Sequence, residues 1–163
     1  MPGWLTAKAL WLSDKYGLHR FEWVQNAYSL LERADERELL PLCADQGLGY
    51  TPFSPLAGGW LTGKYRAAAA YPAGSRMTLR PEPYARFQNE ATFRALERFA
   101  AEAERRGVSM SGLALAWVMS APLVTAPIVG PRQPEHLEPV REALALALTP
   151  AERDEIGGIF SGL

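Results

Sequence analysis

The sequence predicts an α/β fold in which helices cover a small parallel sheet. Short apolar segments typical of buried strands alternate along the chain with longer segments whose apolar residues recur at helical spacing. This alternation favours parallel strands, because a chain that crosses a helix between two strands returns in the same direction. The 163 residues suffice for a core, so we expect a single domain over residues 1–163 with three parallel strands.

The first helix is predicted over residues 5–16. Apolar side chains recur on one face of this segment, at Leu5, Ala9, Leu12 and Tyr16. We expect that face to be buried, since the apolar stripe of an amphipathic helix normally faces the core. Gly17 follows directly and can adopt the left-handed conformation that ends many helices.

Two strands and a second helix come next. The strands are predicted at 22–26 and 49–53, where short apolar runs are bounded by charged residues or glycine. Between them, Asp35 and Glu38 have the spacing of a capping box, which predicts that the second helix begins there. Pro41 lacks a backbone N–H and is expected to kink or shorten that helix.

The second half of the chain is predicted to begin with a long irregular excursion. Residues 64–88 have no sustained periodicity, which is typical of a functional or mobile loop. Apolar spacing predicts a helix over 93–103, stopped by Gly107, and a more apolar helix over 110–120. A third buried strand is expected at 124–129.

Two helices are expected to close the chain. Pro134 is suited to a helix start because its missing N–H would be unbonded there in any case. Thr149 and Glu152, with Pro150 between them, form a second capping signature, which predicts the final helix.

Composition argues against several classes of function. The net charge of -1 and the lack of any run of five like charges give little support to nucleic-acid binding or a basic membrane anchor. Cys43 is the single cysteine, which excludes an internal disulfide or a multi-cysteine zinc site and fits a cytoplasmic setting. No signal peptide is evident at the N-terminus. The uncharged stretch 107–131 is interrupted by prolines, so we interpret it as a helix and a strand and expect no membrane span.

Several distinctive segments occur in order along the chain. They are QNAYSLLER at 25–33, PFSPLAGGWLTGKY at 52–65, PAGSR at 72–76, ALAWVM at 114–119 and PIVGPRQPEHLE at 127–138. Together they resemble the C-terminal half of the aldo-keto reductases. The resemblance implies a partial (β/α)8 TIM barrel, whose three predicted strands would be the sixth to eighth of the family's barrel. It also implies that NADP(H) is the cofactor.

The resemblance further implies a set of cofactor-binding residues. They are Gln25, Phe53, Ser54, Pro55, Leu56, Gly58, Lys64, Arg76, Gly130, Arg132 and His136. In TIM barrels the loops after the seventh and eighth strands commonly hold a phosphate group, and here these loops are SPLAGG and GPRQP. Glycines such as Gly58 and Gly59 would let backbone amides approach a diphosphate closely. A two-pronged contact from the Arg132 guanidinium suits a 2′-phosphate, which favours NADP over NAD.

Each of these residues also has a plainer interpretation. By resemblance, Gln25 bonds the nicotinamide carboxamide and Phe53 stacks on the nicotinamide ring, yet both could simply pack at strand ends. Lys64 and Arg76 correspond to residues that hold the diphosphate, yet both could be solvated loop charges. Arg132 could equally be an exposed arginine at a helix cap.

Two features bear on the adenosine end. Pro139 and Val140 stand where the family often has an acidic residue and an asparagine, so those hydrogen bonds to adenine cannot be made. His136 matches a position that contacts the adenosine end in relatives, although a helix-surface histidine is often only solvated.

No catalytic residue and no metal site are assigned to this chain. The family's catalytic Asp, Tyr, Lys and His lie on earlier strands and have no counterpart here. The resemblance implies that the complete enzyme reduces aldehydes or ketones with NADPH, whereas this chain alone is expected to be inactive. It could be half of a split reductase, a non-enzymatic nucleotide-binding or regulatory module, or an inactive truncated fragment. Open strand edges also predict self-association or pairing with a separate N-terminal half.

Overall fold

The computed structural model describes all 163 residues and has an α/β, helix-rich architecture. Its helices are α1 Gly3–Tyr16, α2 Leu39–Gln46, α3 Arg76–Leu79, α4 Glu90–Arg105, α5 Met110–Met119, α6 Glu138–Ala145 and α7 Pro150–Gly158. Its strands are β1 Trp23–Val24 and β2 Gly49–Tyr50. Short 3-10 turns lie at Ala34–Glu36, Ala57–Thr62, Ala85–Phe87 and Pro134–Leu137.

The two strands pair in parallel, as their order along the chain predicted. Backbone hydrogen bonds continue the pairing beyond the regular strands, from Gly49 N to Glu22 O at 2.8 Å and from Phe53 N to Asn26 O at 2.9 Å. An isolated parallel bridge joins Ala27 to Phe53. The predicted strands 22–26 and 49–53 therefore lie side by side, although only two residues of each form regular strand.

The predicted third strand at 124–129 is wrong as a regular strand. The segment does lie along β2, with Thr125 N donating to Tyr50 O at 2.9 Å and Ile128 N donating to Pro52 O at 2.7 Å. The next two rungs of a parallel ladder would require N–H groups from Pro52 and Pro127, and proline has none. The Tyr50 N–H also bonds outside a regular ladder, to the side-chain hydroxyl of Thr125 at 3.1 Å. Two prolines therefore reduce the third strand to an extended attachment.

The predicted buried face of α1 is also wrong. The buried residues are Gly3, Thr6, Leu10 and Ser13, whereas Leu5 and Tyr16 are 37% and 62% exposed. Thr6 and Ser13 can be buried because their hydroxyls donate to the carbonyls of Pro2 at 3.3 Å and Ala9 at 3.2 Å. Gly17 does end the helix in the left-handed conformation, at φ 61°.

The predicted capping box at the start of α2 does not form. The Asp35 carboxylate accepts hydrogen bonds from Tyr50 Oη at 2.7 Å and from Asn26 Nδ2 at 3.1 Å, so it is engaged with the sheet. Leu39 begins the helix without a side-chain cap. Pro41 then falls in the first turn, where a missing N–H costs no intrahelical bond.

The excursion at 64–88 is attached to the body of the protein by aromatic packing. Phe87 is buried and its ring centroid lies 6.1 Å from that of Trp60. Arg86 forms an ion pair with Glu32, in the loop that follows β1. The segment also contains α3, so it is more ordered than a plain loop.

The last four helices agree with the sequence. The predicted segments 93–103 and 110–120 coincide with α4 and α5. Pro134 begins a 3-10 turn that leads into α6. No helix is both long enough and apolar enough to cross a lipid bilayer.

A capping box at the start of α7 is confirmed. Thr149 Oγ1 accepts from the Glu152 N–H at 3.3 Å, and Thr149 N donates to Glu152 Oε2 at 2.9 Å. These bonds from Thr149, with one from Arg106, lower the pKa of Glu152 from 4.5 to about 2.

This low pKa predicts an acid-sensitive contribution to stability. The folded state favours the ionised Glu152, so its contribution is complete above the unfolded pKa and is lost as the pH falls through the folded value. Glu152→Gln should therefore be less stable than the parent near neutral pH, and the difference should shrink as the pH falls from about 4.5 to about 2. Urea unfolding followed by circular dichroism at each pH measures the difference. Glu155→Gln, an exposed residue of the same helix, is the matched control.

Candidate functional site

The main cavity lies beside the loops that follow β2 and the 124–128 segment. Its volume is about 610 Å³, which is in the range of small-molecule sites. Three stretches of chain supply most of its wall: residues 53–64, 74–84 and 128–140. The first and third begin where the sheet hydrogen bonds end, so the sheet fixes where both loops start.

Most of the residues expected from the sequence to bind cofactor meet at this cavity. Those that line it are Phe53, Ser54, Pro55, Leu56, Gly58, Lys64, Arg76, Gly130, Arg132 and His136. The structure thus brings them together, and their cofactor-binding role stays a prediction. Gln25 is exposed and does not line the cavity. Because Ala27 pairs with Phe53 and side chains alternate along a strand, Gln25 nevertheless lies on the same face of the sheet as Phe53.

The loop after β2 has an unusual backbone. Ser54 and Ala57 have positive φ values of 55° and 48°, which are uncommon for residues other than glycine. Gly58 and Gly59 follow with φ values of 66° and 101°. Such conformations concentrate at functional sites, where the surrounding structure compensates their cost. In this loop the N–H groups of Leu56 and Gly58 have no hydrogen-bond partner within the protein and are free to bond an acceptor.

The charges on the cavity wall are all positive. Lys64, Arg76 and Arg132 line it, and no aspartate or glutamate does. None of the three forms a salt bridge, and Arg132 makes only one side-chain hydrogen bond, from Nη1 to Gly74 O at 3.4 Å. A protein with a net charge of -1 thus concentrates unpaired cations at one cavity. Such a site favours an anionic ligand.

The two loop glycines accommodate neighbouring side chains. A Cβ atom on Gly58 would lie 2.6 Å from Tyr84 Cζ, and one on Gly59 would overlap the end of Lys64. The sequence predicted that these glycines let amides approach a ligand. The structure adds that they let Tyr84 and Lys64 pack directly on the loop backbone.

Sequence reasoning missed part of the cavity wall. Tyr84 lies in the stretch without periodicity, so no pattern distinguished it. Ser111 and Leu115 lie four apart on one face of α5, which the sequence presented only as an apolar core helix. One sequence feature could have pointed to them: Ser109 caps the start of α5, and helix starts often lie near the surface.

The departures noted at the adenosine end do fall in the cavity wall. Pro139 and Val140 line it together with Leu115. None of these three side chains can form a hydrogen bond, so this part of the wall offers only apolar contact.

The fold and cavity define an α/β protein with an electropositive small-molecule cavity at one end of its parallel strands. The profile of the Aldo/keto reductase family matches residues 6–159. The chain therefore belongs to the aldo/keto reductase family, whose members have a (β/α)8 fold.

Comparison with curated proteins agrees with this assignment. "Uncharacterized oxidoreductase YrpG" of Bacillus subtilis (strain 168) is 36% identical over 160 residues, which cover 98% of this chain and 47% of that protein. "Aryl-alcohol dehydrogenase GME11368" of Pestalotiopsis microspora is 33% identical over 155 residues, 95% of this chain and 38% of that protein. "Probable voltage-gated potassium channel subunit beta" of Oryza sativa subsp. japonica is 38% identical over 142 residues, 83% of this chain and 42% of that protein. The chain spans less than half the length of each.

The packing of Tyr84 on the loop predicts a steric cost at Gly58. Gly58→Ala and Gly107→Ala place an alanine at nearly the same φ, 66° and 68°, but only the first brings its new Cβ against another side chain. We expect Gly58→Ala to lower the free energy of unfolding by about 1–3 kcal/mol more than Gly107→Ala does. Urea unfolding of both variants measures this difference, and equal losses would contradict the packing described.

Proposed function

We propose that this chain is the NADP(H)-binding portion of an aldo-keto reductase-type oxidoreductase. The proposal depends on one observation, a cavity lined by Lys64, Arg76 and Arg132 with no carboxylate in its wall. NADPH carries a diphosphate and a 2′-phosphate, and such anions bind well to lysine, arginine and free backbone amides. The residues present therefore fit the cofactor that the resemblance implies.

The proposed binding mode assigns one part of the cofactor to each part of the cavity. Lys64 and Arg76 would hold the diphosphate over the loop that contains Ser54 and Gly58. Arg132 would bind the 2′-phosphate through its guanidinium, with His136 at the adenosine end. Arg132 and His136 are held beside each other, since the Arg132 backbone N–H donates to His136 Nδ1 at 3.1 Å.

The nicotinamide would lie at the sheet end of the cavity. Phe53 is 41% exposed and lines the cavity, so its ring could stack on the nicotinamide. Gln25 lies on the same face of the sheet as Phe53, where its side-chain amide could bond the nicotinamide carboxamide. When bound, NADPH would supply a hydride to the carbonyl carbon of an aldehyde or ketone. The residues of this chain would position the dinucleotide for that transfer.

We propose that the structure corresponds to part of a (β/α)8 barrel and that hydride transfer requires the remainder. The proton donor would come from a separate N-terminal half, consistent with the chain spanning 47% or less of the three relatives described. Alternatively, two copies of this chain could associate through the open edge of β1, in place of a separate N-terminal half. Nucleic acid and membranes are not among the proposed partners.

A second candidate function is a non-enzymatic nucleotide-binding or regulatory module. The name of the Oryza sativa relative, a potassium channel subunit, favours it. An inactive truncated fragment is the third possibility, and it is expected to bind dinucleotide weakly and to aggregate.

Cofactor choice is tested by binding. We expect the purified chain to bind NADPH more tightly than NADH, and Arg132→Ala to raise the Kd for NADPH about tenfold or more while leaving that for NADH nearly unchanged. Isothermal titration calorimetry measures both constants. Arg80→Ala removes an exposed arginine outside the cavity wall and is the matched control. Undetectable binding of both dinucleotides by the parent chain would refute the proposal.

Turnover separates the reductase from the regulatory module. The chain alone should not oxidise NADPH with a reactive aldehyde at enzyme rates, because no proton donor has been assigned to it. Mixing it with an N-terminal half that carries the family's Asp, Tyr, Lys and His should restore NADPH oxidation, followed at 340 nm as a drop in absorbance. A complex that forms, binds NADPH and still shows no turnover would favour the regulatory module.

A further inference from the structure

We propose that Tyr84 is a further dinucleotide-binding residue, whose hydroxyl takes part in holding the diphosphate. This inference rests on the proposed function, since it assumes that the cavity binds a dinucleotide. Tyr84 lies outside every sequence segment that carried the family resemblance. Its assignment depends only on its surroundings in the structure.

The Tyr84 ring lies directly against the strained loop. The ring stands so close to Gly58 that a Cβ there would lie 2.6–2.7 Å from three ring carbons. Its Oη is 3.2 Å from Ser54 Oγ, and Ser54 is one of the loop residues with positive φ. Both side chains line the cavity. Tyr84 therefore contacts the loop at two points and lines the same cavity as Leu56 and Gly58.

A count of hydrogen-bond donors leaves one proton for a ligand. The Ser54 and Tyr84 hydroxyls bond only to each other, and a single hydrogen bond between them uses one of their two protons. The second O–H has no acceptor within the protein. Leu56 and Gly58, whose N–H groups have no partner within the protein, line the same cavity, and several donors at one cavity suit a phosphate oxygen.

The neighbouring residues hold the ring in place before any ligand binds. Tyr84 N donates to Pro81 O at 2.8 Å, and the next residues form the 3-10 turn Ala85–Phe87. Arg86 is tied to Glu32 and Phe87 is buried against Trp60. An aromatic side chain fixed in this way loses little conformational entropy on binding, which favours its use as a ligand contact.

The proposal is tested with Tyr84→Phe, which keeps the ring on Gly58 and removes the hydroxyl. We expect the Kd for NADPH to rise about tenfold, the effect of losing one hydrogen bond to a charged group. Adenosine 2′-monophosphate has no diphosphate, so its Kd should not change. Tyr71→Phe makes the same chemical change in the same excursion but outside the cavity wall, and it should affect neither ligand.

The outcomes are distinguishable. If Tyr84→Phe binds NADPH like the parent chain, Tyr84 does not contact the diphosphate and the inference is wrong. If the variant weakens both ligands equally, or its urea midpoint falls with the affinity, Tyr84 is only structural and the inference is again wrong. If the parent chain binds neither ligand, the proposed function itself is wrong and the inference fails with it.

Discussion

The hydrogen bonds between β1, β2 and the 124–128 segment determine where the candidate site can form. They align the ends of these segments, and the ladder then ends because Pro52 and Pro127 cannot donate. Shortly beyond those prolines the chain enters the cavity wall, at Ser54 after β2 and at Gly130 after the 124–128 segment. The two prolines that prevent a regular third strand therefore also end the hydrogen-bonded ladder, so both cavity loops begin at the same end of the sheet.

A buried network of phenols and charged groups attaches this sheet to the rest of the fold. Tyr28 Oη donates to Glu36 at 2.7 Å and accepts from Arg153 at 2.7 Å, while Tyr50 Oη donates to Asp35 at 2.7 Å. Burial, and then these carboxylate partners, raise the pKa values of both tyrosines, so the phenols stay neutral donors. The carboxylates would be costly to desolvate alone, and the hydrogen bonds offset that cost.

The sequence predicted features that depend on local chemistry. Gly17 as a helix end and the Thr149 capping box involve residues within a turn of one another, so their patterns can be recognised directly. The wrong predictions concern features decided by distant partners. Asp35 matched a capping pattern but bonds Tyr50 and Asn26 instead. Burial of Thr6 on α1 could not be inferred from apolarity, because a hydroxyl bonded to its own helix behaves as a small core residue.

The candidate site shows the same division. Its predicted residues belong to continuous segments that carried the family resemblance, and ten of the eleven line the cavity. Tyr84 reaches the site from an excursion that Phe87 and Arg86 help to anchor elsewhere on the protein. No spacing in the sequence encodes that anchoring, so the residue could be found only in the folded chain.

The backbone of the strained loop after β2 is held in the fold through its carbonyl groups. Trp60 and Leu61 are completely buried beneath it, Tyr65 Oη donates to Gly58 O at 3.2 Å, and Thr62 Oγ1 donates to Gly59 O at 2.8 Å. These contacts use the carbonyls of the loop and leave the N–H groups of Leu56 and Gly58 unbonded. Left-handed residues cost about 1–2 kcal/mol each, and this cost is met within the fold before any ligand arrives. A ligand that accepts from those amides would then find the loop already shaped, so little of its binding free energy would be spent on ordering the backbone.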